Sequence, residues 1–146
     1  MHTIILRPVL ATLAMSALLF AAAPAVAEML SYKADLKGST EFPSNDSKGT
    51  GAVDVTYDTT SKKLSWTVTY SGLTGPATAA HFHGPAAATA TAPPVVPLSG
   101  SLVSAIKGDA VLTDAQMTDL QAGRWYFNIH TSAHPDGELR GQVMKK

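Results

Sequence analysis

The chain has 146 residues, eleven basic side chains against eleven acidic ones, and no cysteine. With charges balanced and no basic run beyond Lys62-Lys63 and Lys145-Lys146, nucleic acid is not an expected partner. Absence of thiols excludes disulfides, thiolate zinc fingers, iron-sulfur clusters and blue copper centres. Any bound metal must accept nitrogen, oxygen or a methionine sulfur.

Residues 1–27 read as an export signal. Met1, His2 and Arg7 open it, an apolar stretch runs from Val9 to Ala23, and Ala25-Val26-Ala27 supplies a small-x-small cleavage pattern. Thr12 and Ser16 interrupt the stretch and Pro24 ends it, short of the roughly 20 residues that span a bilayer. Cleavage is expected, with the product periplasmic or secreted and no membrane association afterwards. A retained anchor would leave the same domain outside the membrane. Residues 28–146 are expected to form a single domain around one core.

Strands dominate the rest. Leu30 to Leu36 places Leu30, Tyr32, Ala34 and Leu36 on one face. Val53 to Tyr57 and Leu64 to Tyr70 alternate in the same way, and the polar stretch Asp58 to Lys63 suits a hairpin loop between them. A strand is predicted at Thr78 to His83. The Ala- and Pro-rich run from Pro85 to Ser99 is expected to be a loop or irregular crossover, because its prolines remove ladder donors; it begins where it could wall in His83. Leu112 to Gly123 carries helix signals instead: Thr113 and Gln116 as a capping box, Leu112 and Met117 at the staple positions, and Gly123 as the stop. Strands are predicted again at Arg124 to Thr131 and Glu138 to Met144. The whole reads as all-β, a Greek-key sandwich or barrel of about seven or eight strands with one short helix.

Four of the five histidines lie outside the leading segment, in His81-Phe82-His83-Gly84 and His130-Thr131-Ser132-Ala133-His134. On a strand, residues two apart share a face with Cα atoms about 6.6–6.8 Å apart, so His81 and His83 can reach one ion while Phe82 points into the core. In the strand from Arg124, the residues Trp125, Phe127 and Ile129 take the buried face and leave Tyr126, Asn128 and His130 on the other. Three imidazoles meet if the two strands are neighbours. His134 precedes the turn signal Pro135-Asp136-Gly137 and is a candidate fourth ligand, a residue at the mouth of the site, or a solvated side chain. Asn128, Glu138 and Arg140 are candidates for orienting the imidazoles through their second nitrogens, with a Glu138–Arg140 salt bridge, or separate surface roles for that pair, as the alternatives. Copper is the first choice for such nitrogen donors, with zinc as the alternative.

His81-Phe82-His83-Gly84-Pro85, the run from Leu112 through Tyr126-Phe127-Asn128-Ile129-His130-Thr131, and Gly137-Glu138-Leu139-Arg140-Gly141-Gln142 together resemble the CHRD domain, named for its occurrence in chordin and widespread in bacterial exported proteins. The resemblance extends over about Leu30 to Met144. It implies an extracytoplasmic all-β domain and, for bacterial members, copper held by the histidines that are here His81, His83 and His130. A more distant likeness is to the copper site of Cu/Zn superoxide dismutases, from which this chain departs in lacking the cysteines and the loop of a separate zinc site.

The function expected is an exported copper-binding protein that stores, buffers or transfers the ion, with no catalytic residue assigned. A copper-dependent, superoxide dismutase-like enzyme is one alternative. A metal-free module that meets another protein through the Ala- and Pro-rich loop and an exposed Tyr126 face is the other, and a second copy of the chain is a candidate partner. Nucleophilic catalysis through Ser132 or Thr131 has no orienting carboxylate to support it.

Overall fold

The computed structural model describes residues 26–146, so all but the last two residues of the expected export segment lie outside it. The described chain forms β1 (Met29–Lys37), a 3-10 turn (Gly38–Thr40), β2 (Thr50–Asp58), β3 (Lys63–Ser71), β4 (Ala77–His83), β5 (Pro94–Pro97), β6 (Ile106–Val111), α1 (Asp114–Gln121), β7 (Tyr126–Thr131), β8 (Leu139–Gln142) and β9 (Met144–Lys145). The strands pair in the order β5-β4-β7-β8-β1-β2-β3-β6, with β9 added to β1. All pairings are antiparallel. The sheet curls into a nearly closed barrel whose two free edges, β5 and β6, face each other across a groove of about 470 Å³. The all-β architecture with one short helix is the one the sequence predicts.

Alternation builds the interior. Leu30, Tyr32, Ala34 and Leu36 of β1 meet Val53, Val55 and Tyr57 of β2, Leu64, Trp66 and Val68 of β3, and Phe82, Trp125, Phe127, Ile129 and Leu139 from the opposite wall. Each fully buried side chain of this size contributes roughly 1.5–3 kcal/mol relative to exposure. The β2–β3 hairpin keeps its register from Thr50↔Ser71 to Asp58↔Lys63. Its turn is fastened by the Thr60 amide, which donates to Asp58 Oδ1 at 2.8 Å.

The helix forms as its caps dictate. Thr113 Oγ1 accepts from the Gln116 amide and Gln116 Oε1 accepts from the Thr113 amide. Leu112, Met117 and Leu120 are buried against the barrel, and Gly123 turns the chain away at φ +67°.

Three features differ from expectation. The Pro85–Ser99 run is irregular only in part, because Pro94–Pro97 pairs with β4 as a short edge strand; an edge needs no donor on its free side, which is where proline is tolerated. Strand β6 carries little alternation because, after Ile106, its inward residues are small. Gly108 stands opposite Trp66, and the indole fills the space a side chain would need. The strand predicted from Glu138 to Met144 is divided, since the Val143 amide donates to Trp125 O and the chain then moves across to pair with Tyr32 and Lys33 of β1.

Candidate metal centre

Strands β4 and β7 are direct neighbours, with His81 opposite Asn128, His83 opposite Tyr126 and Ala79 opposite His130. Between the outward-facing histidines, Phe82 points inward and packs edge to face on Phe127 at 4.8 Å between centroids and on Trp66 at 5.3 Å. Those aromatic contacts fix the pleat, and the pleat turns His81, His83 and His130 to the same outer surface. One ring nitrogen from each lies within 4.8 Å of those of the other two. His81 Nδ1 and His130 Nε2 are 3.2 Å apart.

This outer face is largely covered, with His83 buried and His81 and His130 partly exposed. The loop from Gly84 to Pro93 folds back over it, starting from Gly84, which lies so close to Trp125 that even a methyl side chain would collide with the indole. Tyr126 Oη donates to Ala92 O at 3.2 Å, and Arg140 donates to Ala87 O and Ala90 O at 3.2 and 2.7 Å. Gln142 Nε2 holds Ala86 O at 2.9 Å. Tyr126 is therefore only 2% exposed, which corrects the expectation of an exposed Tyr126 face for meeting a partner. The Ala- and Pro-rich segment is the wall that its position after His83 implied.

Two rings are oriented by backbone carbonyls. His83 Nδ1 lies 2.8 Å from Ala92 O, and His130 Nδ1 lies 2.9 Å from Pro135 O. A carbonyl only accepts, so each Nδ1 carries a proton and each neutral ring presents the lone pair of Nε2. Burial, more than any other influence, holds His83 below the ordinary imidazole pKa. For His81 the same downward push from burial is reinforced by His130 and His83. Neutral imidazole is the form that binds a metal.

The remaining predicted residues take different places. Asn128, 3% exposed, sits with Oδ1 at 2.9 Å from His83 Nε2 and 3.0 Å from His130 Nε2. Arg140 makes no hydrogen bond to an imidazole; its guanidinium lies 3.5 Å from the centroid of the Tyr126 ring. Glu138 is fully buried and bonded to Ser47, Thr74 and Thr131 rather than to a histidine or to Arg140. Although burial by itself would raise its pKa, the hydroxyls of Thr131, Ser47 and Thr74 hold Glu138 down at about 2. It ties the loops before β2 and β4 to the β7–β8 turn. His134 stands outside the group of converging nitrogens. It belongs to the turn bonded through its backbone to Thr131 and lines a shallow depression with Glu41 and Asp136.

Glu41 was not singled out by the sequence, where it is one carboxylate in a polar stretch. It is 7% exposed, its pKa is raised by burial, and the amide of Asn128 is close enough to oppose that rise. Glu41 Oε1 still lacks a well-formed hydrogen bond.

The sequence model of the CHRD domain matches residues 32–143. The chain belongs to the CHRD-domain family. That span takes in every strand but the first residues of β1 and the short β9, so the barrel and the histidine surface both belong to the CHRD domain. No curated protein and no solved structure matches the chain significantly. No helix among the described residues is long and apolar enough to cross a membrane.

Proposed function

We propose that this CHRD-domain protein is an exported copper-binding protein, in which His81, His83 and His130 hold the ion for storage, buffering or transfer in the periplasm or outside the cell. The observation that carries this reading is the convergence of three imidazole nitrogens within 4.8 Å, two of them on rings already oriented by backbone carbonyls. An orienting acceptor on the far nitrogen is what metal-ligating histidines ordinarily have. An all-imidazole nitrogen set suits copper or zinc, and copper is the tighter of the two on a given nitrogen site. Export is supported by the signal-like pattern of residues 1–27.

The ion would supply redox capacity and Lewis acidity. The protein's own part is to desolvate the site with the 84–93 loop, hold His81 and His83 toward the neutral form through burial, and limit access to the side on which His81 and His130 are partly exposed.

Titration of the purified protein with copper(II) and with zinc tests the reading. One equivalent of copper should bind, and His83→Ala and His130→Ala should each abolish stoichiometric binding while the β-rich circular dichroism spectrum is kept. Unchanged stoichiometry in either variant overturns the assignment. A site that takes zinc and not copper replaces the metal but keeps the ligands.

A further inference from the structure

Asn128 is placed where an orienting residue should not be. A residue that orients a ligating imidazole bonds the ring nitrogen remote from the metal, and in His83 and His130 those nitrogens are already taken by Ala92 O and Pro135 O. Asn128 Oδ1 instead faces the other nitrogen of each ring, at 2.9 and 3.0 Å. With each Nδ1 paired to a carbonyl, both Nε2 atoms and Asn128 Oδ1 face one another as acceptors; His81 Nδ1, 3.2 Å from His130 Nε2, can donate to that atom but leaves His83 Nε2 and Asn128 Oδ1 facing each other with no proton between them.

Turning the amide over does not relieve the arrangement. Glu41 lies at the other end of Asn128, and its carboxylate and Asn128 Nδ2 both press on Gly137, where no side chain would fit. An inverted amide would set its oxygen against that buried carboxylate. The orientation that suits Glu41, with Nδ2 toward the acid, is the one that sends Oδ1 to the imidazoles. A cation among the acceptors resolves the conflict.

The spacing agrees. Donors about 2.0–2.1 Å from a common ion stand roughly 2.9 Å apart at right angles and roughly 3.4 Å apart in a tetrahedron. Going from His83 Nε2 to Asn128 Oδ1, on to His130 Nε2 and then to His81 Nδ1, the steps are 2.9, 3.0 and 3.2 Å.

We propose that Asn128 Oδ1 is a fourth donor, completing a three-nitrogen, one-oxygen metal site, and that Glu41 is the positioning residue that keeps the amide turned for it. This rests on the histidine reading above and adds to it an oxygen ligand and a carboxylate outside the histidine motifs. The donor set favours an ion that accepts both imidazole and carbonyl oxygen, as copper(II) and zinc do.

The test uses the whole mature protein with copper(II) as probe, read by electron paramagnetic resonance and by competition titration, with circular dichroism to verify the fold. Asn128→Ala should shift the parallel g value and copper hyperfine splitting and weaken affinity by about 10–100-fold. Asn128→Asp, which keeps an oxygen and adds a charge, should bind at least as tightly as the unaltered protein. Glu41→Ala should shift the spectrum in the same direction as Asn128→Ala, and Asn128→Asp in that background should restore it, because a carboxylate presents oxygen whichever way it is turned. A purely structural role for Glu41 would show no such rescue. Copper spectra and affinity unchanged by Asn128→Ala overturn the oxygen donor while leaving the histidines standing. Copper binding that survives His83→Ala overturns the histidine reading and this proposal with it.

Discussion

The Tyr126 ring lies flat on the His83 imidazole, with centroids 4.6 Å apart and planes 6° from parallel. Strand β7 runs between β4 and β8, so the other side of Tyr126 is covered by the Arg140 guanidinium. His83, Tyr126 and Arg140 thus form a stack along the outer face of the sheet, and the loop that roofs it is bonded to all three. Tyr126→Phe keeps the stack and loses only the hydroxyl bonds to Ala92, so it should cost about 1 kcal/mol. Tyr126→Ala removes the ring and should cost roughly 3–5 kcal/mol and weaken copper binding as His83 gains freedom. Thermal unfolding and copper titration of the two variants check the contrast.

His134 lies outside the converging nitrogens. His134→Ala should therefore bind one equivalent of copper with an affinity within about twofold of the unaltered protein, a shift of well under 1 kcal/mol. Loss of the equivalent on titration would show that its turn swings in on binding.

Glu138 gives the fold an acid-sensitive anchor. Its folded pKa of about 2 lies below the ordinary carboxylate value of 4.5, so between those values the unfolded chain binds the proton first. The stability this carboxylate contributes is complete above about pH 4.5 and is lost as the pH falls toward 2. Glu138→Gln sets an amide against hydroxyl donors and should destabilise by roughly 2–3 kcal/mol at neutral pH. It should also flatten the stability profile in that acid window. Denaturant titrations at pH 2.5, 4 and 7 give the comparison.

Far from the histidines, Gly108 makes room for the Trp66 indole across the β3–β6 pair. Gly108→Val overfills that space and should cost roughly 1–3 kcal/mol, read as a lower urea midpoint. Copper stoichiometry should not change.

Thr113→Ala removes the N-cap of α1 and leaves the Gln116 amide without its acceptor. A loss of about 1 kcal/mol is expected, again with copper binding intact. A larger loss would mean that α1 also supports the barrel edges at β5 and β6.

Much of the strand content was legible because burial on one face writes itself as alternation. Leu30 to Leu36 and Leu64 to Tyr70 were readable for that reason, and the same logic turned His81, His83 and His130 away from Phe82, Phe127 and Ile129. The helix was legible from Thr113 and Gln116, whose bonds are local. Strand β6 was not, because Gly108 and Ala110 are small and the residue that fills their side of the core, Trp66, comes from a strand some forty residues earlier.

By itself, the sequence determined the all-β character, the capped helix, the family and which histidines share a surface, since each of these depends on periodicity, neighbours in the chain or a motif. Tertiary structure alone decided that β4 lies beside β7, that the proline-rich loop buries Tyr126, Asn128 and Arg140 on a face the alternation marks as outer, and that Glu138 anchors loops instead of serving a histidine. It also brought Glu41 to Asn128 across 87 positions of chain. Contacts of this kind are made by long-range pairing and by the path of irregular segments, and neither leaves a period in the sequence to be read.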